Sequence, residues 1–178
     1  MSEKKGLYEK AKEEMRLSER ILAELPGFRG YKEKEIRRET DKLVRNHVYL
    51  KLTEVRDDLK DVFQKLSDRR LYEVLTDMDR FIMRFDRVAE KINHASYGYA
   101  GFFNVLKIEE EKLDKMVTFD DGLIDYVKKI IDETNVFKGE VRKQEFERVR
   151  EHIQKLSDSL ELLEGTFDER EETILGVK

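Results

Sequence analysis

Cysteine is absent from the 178 residues, and proline occurs once, at Pro26. Without thiols the chain can form no disulfide, no thiolate metal site and no cysteine nucleophile. From Tyr31 to Ser96 there is neither proline nor glycine, so nothing in that stretch obliges a helix to break. Long hydrophobic runs are also missing. No window approaches the roughly 18 apolar residues of a membrane span, and the opening MSEKKGLYEKAKEEM carries charges where a leader would carry an apolar core. The chain is therefore expected to be neither exported nor membrane-spanning, with the cytoplasm as the simplest location.

Histidine is scarce too. Of His47, His94 and His152, none has a glutamate three residues before it, which removes the Glu-x-x-His pairs of di-iron bundles. Nor is there a Gly-rich phosphate loop of the G-x-x-x-x-G-K type, a G-x-S-x-G elbow or an H-E-x-x-H motif. No enzyme activity and no cofactor is expected.

What the chain has in abundance is charge. Lys, Arg, Asp and Glu make up 43% of it, and the mean hydropathy is -0.73. Scattered apolar residues at that level would mean disorder, but here they recur at helical spacing. Asn and Gln are few beside Glu, Lys and Arg, a lean shared with proteins of hot environments. The net charge of -4 divides into +4 over residues 1 to 70 (19 basic, 15 acidic) and -8 over the rest (17 and 25). That balance argues against a dedicated nucleic-acid domain, although Arg37, Arg38 and Arg45 form a local basic face.

The spacing predicts an all-α antiparallel bundle of five to six helices in one domain covering residues 1 to 178. A first helix over residues 3 to 25 carries Leu7, Ala11, Met15, Leu22 and Leu25 on one face, and Pro26-Gly27 ends it, so that it is free to act as a hinged arm. Val48, Leu52, Val55, Leu59, Val62 and Leu66 follow a 4-3-4-3-4 rhythm, and Leu71, Val74, Met78, Phe81, Phe85, Val88 and Ile92 a 3-4 rhythm, as in coiled-coil seams. The five-residue step between Leu66 and Leu71 predicts a tight turn, with Ser67 or Asp68 capping the next helix. Further helices are expected at 101 to 117 (Phe102, Phe103, Leu106, Leu113 and Met116 inward), from a Thr118/Asp121 capping box to Gly139, and from Phe146 to Gly165. Residues 166 to 178 form an acidic tail, docked through Phe167, Ile174 and Leu175 or free.

Three groups of residues invite a functional reading. NHASYGYAGFF at 93 to 103 concentrates aromatics and glycines. Tyr97, Tyr99, Phe102 and Phe103 either fold back as a plug or form an exposed surface gripping a partner, since Tyr and Phe are over-used at interface centres. The segment Leu25 to Lys34 adds Phe28 and Tyr31 as partner-binding candidates, and its Arg29, Lys32 and Lys34 lie where a loop feeding a helix N-terminus favours anions. Interleaved acids offset this segment: 7 bases from Arg29 to Arg45 face 4 acids, leaving +3, which ordinary intrahelical pairing also explains. Asp86, Glu90 and His94 recur four apart and could stack as ligands for a hard cation, as could Asp57 with Asp61. In so acidic a chain the same spacing describes a solvated face.

At GYKEKEIRRETDK (30 to 42) and YGYAGFF (97 to 103) the chain resembles a family of all-helical archaeal and bacterial proteins with blocks of the same kind. The resemblance implies a helical fold and a role for both segments; it implies no activity. Together these observations predict a non-enzymatic domain that binds another protein, or a copy of itself, through the aromatic stretch, the Leu25 to Lys34 segment, or both. The alternatives are a regulatory domain binding a metal ion or phosphate and a nucleic-acid binder using Arg37, Arg38 and Arg45.

Overall fold

A computed structural model describes residues 2–97 and 100–176, with side chains described from residue 9 onward except that of Ala11. Tyr99, one of the aromatic candidates, and Gly98 lie outside the described residues, as do the side chains of Leu7 and Ala11. The fold is an all-α bundle. Among the described residues there are six α-helices and no strand: α1 (Ser2–Glu24), α2 (Arg37–Asp68), α3 (Tyr72–His94), α4 (Gly101–Asn104), α5 (Glu110–Arg142) and α6 (Val149–Leu175). A 3-10 turn at Lys34–Ile36 leads into α2. No helix among them is long and apolar enough to cross a membrane.

The residues gather into two compact units, each discontinuous in sequence. Unit 1 comprises Met1–His47, Ser96–Ile124 and Thr166–Lys178; unit 2 comprises Val48–Ala95 and Asp125–Gly165. Helices α2, α5 and α6 each contribute residues to both.

Unit 2 follows the predicted seams closely. Val48, Leu52, Val55, Leu59, Val62 and Leu66 on α2 and Met78, Phe81, Phe85, Val88 and Ile92 on α3 are buried, as are Val127, Ile130 and Phe137 on α5 and Ile153, Leu156, Leu160 and Leu163 on α6, whereas Leu71, Val74 and Phe146 at the starts of the expected seams are only half-buried. Each such side chain removed from water contributes about 1.5–3 kcal/mol. The α2–α3 turn falls where the five-residue step put it, but neither Ser67 nor Asp68 caps α3: Leu71 precedes it without a side-chain cap, and Arg70 takes a left-handed φ of 58°.

Helix ends depart from the sequence expectation in four places. The expected helix from 101 to 117 is only the four-residue α4, and Leu106, expected inward, is 79% exposed. The Thr118/Asp121 capping box starts nothing. Thr118 lies inside α5, where its hydroxyl bonds the Asp114 carbonyl one turn back. Gly139 and Gly165 do not end helices either; both lie within them with open space beside the backbone, costing about 1 kcal/mol relative to alanine. Residues 166–175 of the tail are thus the last turns of α6, and they bury Phe167, Arg170 and Ile174 while Leu175 stays half exposed.

In unit 1, Ile21 on α1 and Leu25 just after it are buried, while Met15 and Leu22 of the expected stripe are exposed. The helix is not a loose arm: Arg20 pairs with Asp121 at 3.0 Å and Glu14 with Lys32 at 3.0 Å, both within this unit. Gly27 and Gly30, at φ 93° and 72°, make the turns that bring Phe28 and Tyr31 inward.

Candidate functional site

The seam rhythm continues into unit 1, but charged residues occupy it. On α6, Leu156, Leu160, Leu163 and Phe167 are followed at the same 3-4 spacing by Arg170 and Ile174; on α5, Leu113 and Met116 are followed by Asp120 and Leu123; on α2, Arg37 and Asp41 precede Val44 and Val48. A helix packed along this line must carry these side chains into the core. Arg170 and Asp120 are fully buried, and Arg37 and Asp41 nearly so.

Buried ions persist only when paired and hydrogen-bonded. Arg170 donates from Nε to Asp120 Oδ1 at 2.7 Å, from Nη1 to Asp41 Oδ1 at 2.7 Å, and from Nη2 to the Tyr31 hydroxyl at 2.8 Å. The Tyr31 hydroxyl in turn donates a hydrogen bond to Asp120 Oδ2 at 2.6 Å. Arg45 donates to the second oxygen of Asp41 at 3.1 Å, and Tyr97 accepts a longer bond from Arg170 at 3.4 Å. Two carboxylates thus face two guanidiniums, and the cluster is formally neutral.

Burial alone would lower the Arg170 pKa. The negative charges of Asp120 and Asp41, with the Tyr31 oxygen beside them, outweigh it and hold the group well above its ordinary value, so it stays cationic. Burial raises Asp120, with Arg170 and Tyr31 offsetting part of the rise. Burial also lifts Tyr31 well above the usual phenol value and Tyr97 to about 12.

Arg37 does a different job, bonding backbone. It donates to the carbonyls of Tyr31 (2.7 Å), Phe102 (3.1 Å), Val105 (2.7 Å) and Lys32 (3.4 Å), tying the 31–32 loop to the segment around α4.

Most of the aromatic candidates belong to this interior. Phe28, Tyr31, Tyr97, Phe102 and Phe103 are all at most 8% exposed. Their rings stack edge-on or tilted, with centroids 5.7 Å apart for Tyr31–Phe102, 5.4 Å for Phe102–Phe103 and 5.9 Å for Tyr97–Phe103. They form the packed plug, and rings at this burial have no face to offer a partner. The gripping surface expected of them is corrected on that ground.

The basic candidates are likewise occupied at home. Arg37 is buried, Arg38 lies over the Phe103 ring at 4.7 Å, and Arg45 pairs with Asp41 and lies over Tyr97 at 5.6 Å. Arg29 pairs with Glu33 at 3.4 Å and Lys32 with Glu14. Lys34 opens the 3-10 turn, not an α-helix, so the anion-favouring N-terminus expected at the loop is displaced to Arg37.

The cation candidates do not converge on a point. Asp86 lies 3.8 Å from Arg56, and Glu90 accepts from the Tyr49 hydroxyl at 3.2 Å and sits 3.1 Å from His94. Asp57, 72% exposed, lies on α2 at 3.9 Å from the same arginine. Among the described residues no group of three or more His, Asp or Glu is arranged to hold a metal ion.

One part of the Leu25 to Lys34 segment does reach the surface. Residues 29–33 form one wall of a cleft of about 510 Å³, facing Glu14, Met15, Ser18 and Glu19 of α1 and floored by Leu113 and Val117 of α5. Met15 stands 65% exposed at its edge. No protein-family model matches the chain, and no curated protein or solved structure is significantly similar to it.

Proposed function

We propose that the chain is a non-enzymatic protein-interaction domain whose recognition surface is the cleft beside residues 29–33. Its occupant is a short amphipathic segment of another protein, with one apolar anchor and flanking basic groups. The observation that carries this reading is the combination of an open, partly apolar cleft with a wall fixed from behind. Arg29, Lys32 and Glu33 present this wall, and Tyr31 among them stays buried: its hydroxyl is held by Arg170 and Asp120, and Arg37 holds its carbonyl and that of Lys32.

A wall anchored this way is ordered before binding, which reduces the entropy lost on association. The apolar floor of Leu113 and Val117 and the flexible thioether of Met15 suit a single apolar anchor. The charged lining, Glu14, Glu19 and Glu33 against Arg29 and Lys32, sums to -1 and favours basic flanks.

Selection of a random peptide library on the immobilised protein tests the proposal. Enriched peptides are expected to share an apolar residue next to Lys or Arg, and Met15→Glu, a change at an exposed position, is expected to reduce their capture about tenfold or more. Peptides that bind the variant as well as the parent would overturn the assignment, as would a library that shows no enrichment.

A further inference from the structure

Unit 2 has a groove of its own, about 430 Å³, running between α3 and the first turns of α6. Its floor is apolar, formed by the buried faces of Phe81 and Ile153. Its walls are not: Arg80 and Arg84 line it from α3 and Arg150 from α6, against the single carboxylate of Asp77. The lining therefore carries three positive charges and one negative, +2, in a chain whose net charge is -4.

From these residues we infer a binding site for a phosphate group. Arg80 and Arg84 are four residues apart, so they project from one helix face about 6 Å from each other along the axis. Arg150 approaches from the opposite wall, one residue into α6, where the helix's positive end adds to the field.

The donors are largely unspent. Arg84 reaches Glu164 at 3.4 Å, and Arg150 lies 3.7 Å from Asp77 while donating to the Glu73 carbonyl at 3.3 Å. Arg80 makes no hydrogen bond or ion pair among the described residues. Each guanidinium carries five N–H donors in a planar fork, which matches two phosphate oxygens at once. Gln154 and Ser157 on the α6 wall add neutral hydrogen-bonding groups. The volume lies in the range of small-ligand pockets, and three arginines over two turns of helix suit one or two phosphates, not a nucleic-acid tract.

This site is separate from the cleft of unit 1, and its test is independent. Inorganic phosphate, pyrophosphate and a phosphoserine peptide would each be titrated calorimetrically into the full chain. Saturable binding of at least one is expected. Pyrophosphate binding would indicate a free polyphosphate ligand, and peptide binding alone a phosphorylated protein.

Arg80→Ala is expected to weaken that binding about tenfold. Arg80→Lys should retain part of it, because the charge stays while the fork is lost. Three results would overturn the inference: no saturable heat with any of the three probes, equal binding by the parent and Arg80→Ala, or an oligonucleotide that binds with a steep salt dependence and is not displaced by pyrophosphate.

Discussion

Unit 2 is closed by apolar seams, Val48 to Leu66 on α2 and Met78 to Ile92 on α3, and keeps its ions at the rim. Unit 1 puts Arg37, Asp41, Asp120 and Arg170 on positions where the same rhythm would place leucines. Apolar packing is non-directional and tolerates small shifts of register, whereas a guanidinium holding two carboxylates and a phenol admits one arrangement. Buried ions add little net stability, since apolar replacements of similar volume are often neutral or better. What the cluster supplies here is position: it fixes the Tyr31 wall from inside. Removing one member, however, strands the others.

Arg170→Leu should break the comparison most sharply. It leaves Asp41 and Asp120 without their shared partner, an expected loss of about 3–5 kcal/mol in urea denaturation. The matched change in unit 2, Leu59→Ala, should cost about 2–5 kcal/mol through the cavity it opens. Amide exchange would locate each loss. The Arg170 variant is expected to lose protection first in residues 31–47, 101–104 and 110–124. Equal loss throughout Val48–Ala95 would show that the two units unfold as one.

Alkali offers the next test. Tyr97 titrates at about 12 in the folded chain and near 10 when unfolded. Its raised value means that the folded state keeps the proton longer. The stability tied to that proton is therefore complete below pH 10 and is lost as pH rises through about 12. Tyr97→Phe should flatten the fall of stability between pH 10 and 12 by about 1.4 kcal/mol per pH unit. An unchanged slope would mean that Tyr97 titrates as an exposed phenol and would sink the account of its burial.

The smallest effect belongs to unit 2. His152 lies 2.7 Å from Glu140, and this hydrogen bond, with Arg148 nearby, lowers the Glu140 pKa. A lowered carboxyl contributes stability that is present above the usual carboxylate range and is lost as pH falls through its folded value. Glu140→Gln should remove that part of the acid sensitivity together with the small stabilisation it gives at neutral pH, so that the variant and the parent converge as pH falls. An acid limb as steep as the parent's would assign the effect to other groups.

How much of this could be read from the sequence follows the same division. Unit 2 was legible because its seams are unbroken: spacing alone places Leu52, Leu59, Phe85 and Ile92 inside. The polar interior of unit 1 was not. In a chain 43% charged, Arg170 and Asp120 read as ordinary surface, and their partners lie 50 to 139 residues away. The signal was register, since both stand on the apolar line of their helices, where a charge demands an explanation. Gly139, Gly165 and the Thr118/Asp121 pair misled because local stop and start signals yield when flanking seams continue through them. The aromatic cluster at 97 to 103 was visible as a peculiarity, but the inward direction of Tyr97, Phe102 and Phe103 depends on Tyr31 and Arg37, which no local pattern brings near.

The Arg170–Tyr31 bond joins residues 139 positions apart, which has a consequence for chain synthesis. A ribosome releases Asp41 and Asp120 before the arginine they share; Asp41 can pair with Arg45 at once, but Asp120 must stay hydrated until Arg170 emerges, while the α2–α3 hairpin is already free to zip. Interior closure of unit 1 is thus timed by the arrival of one late arginine.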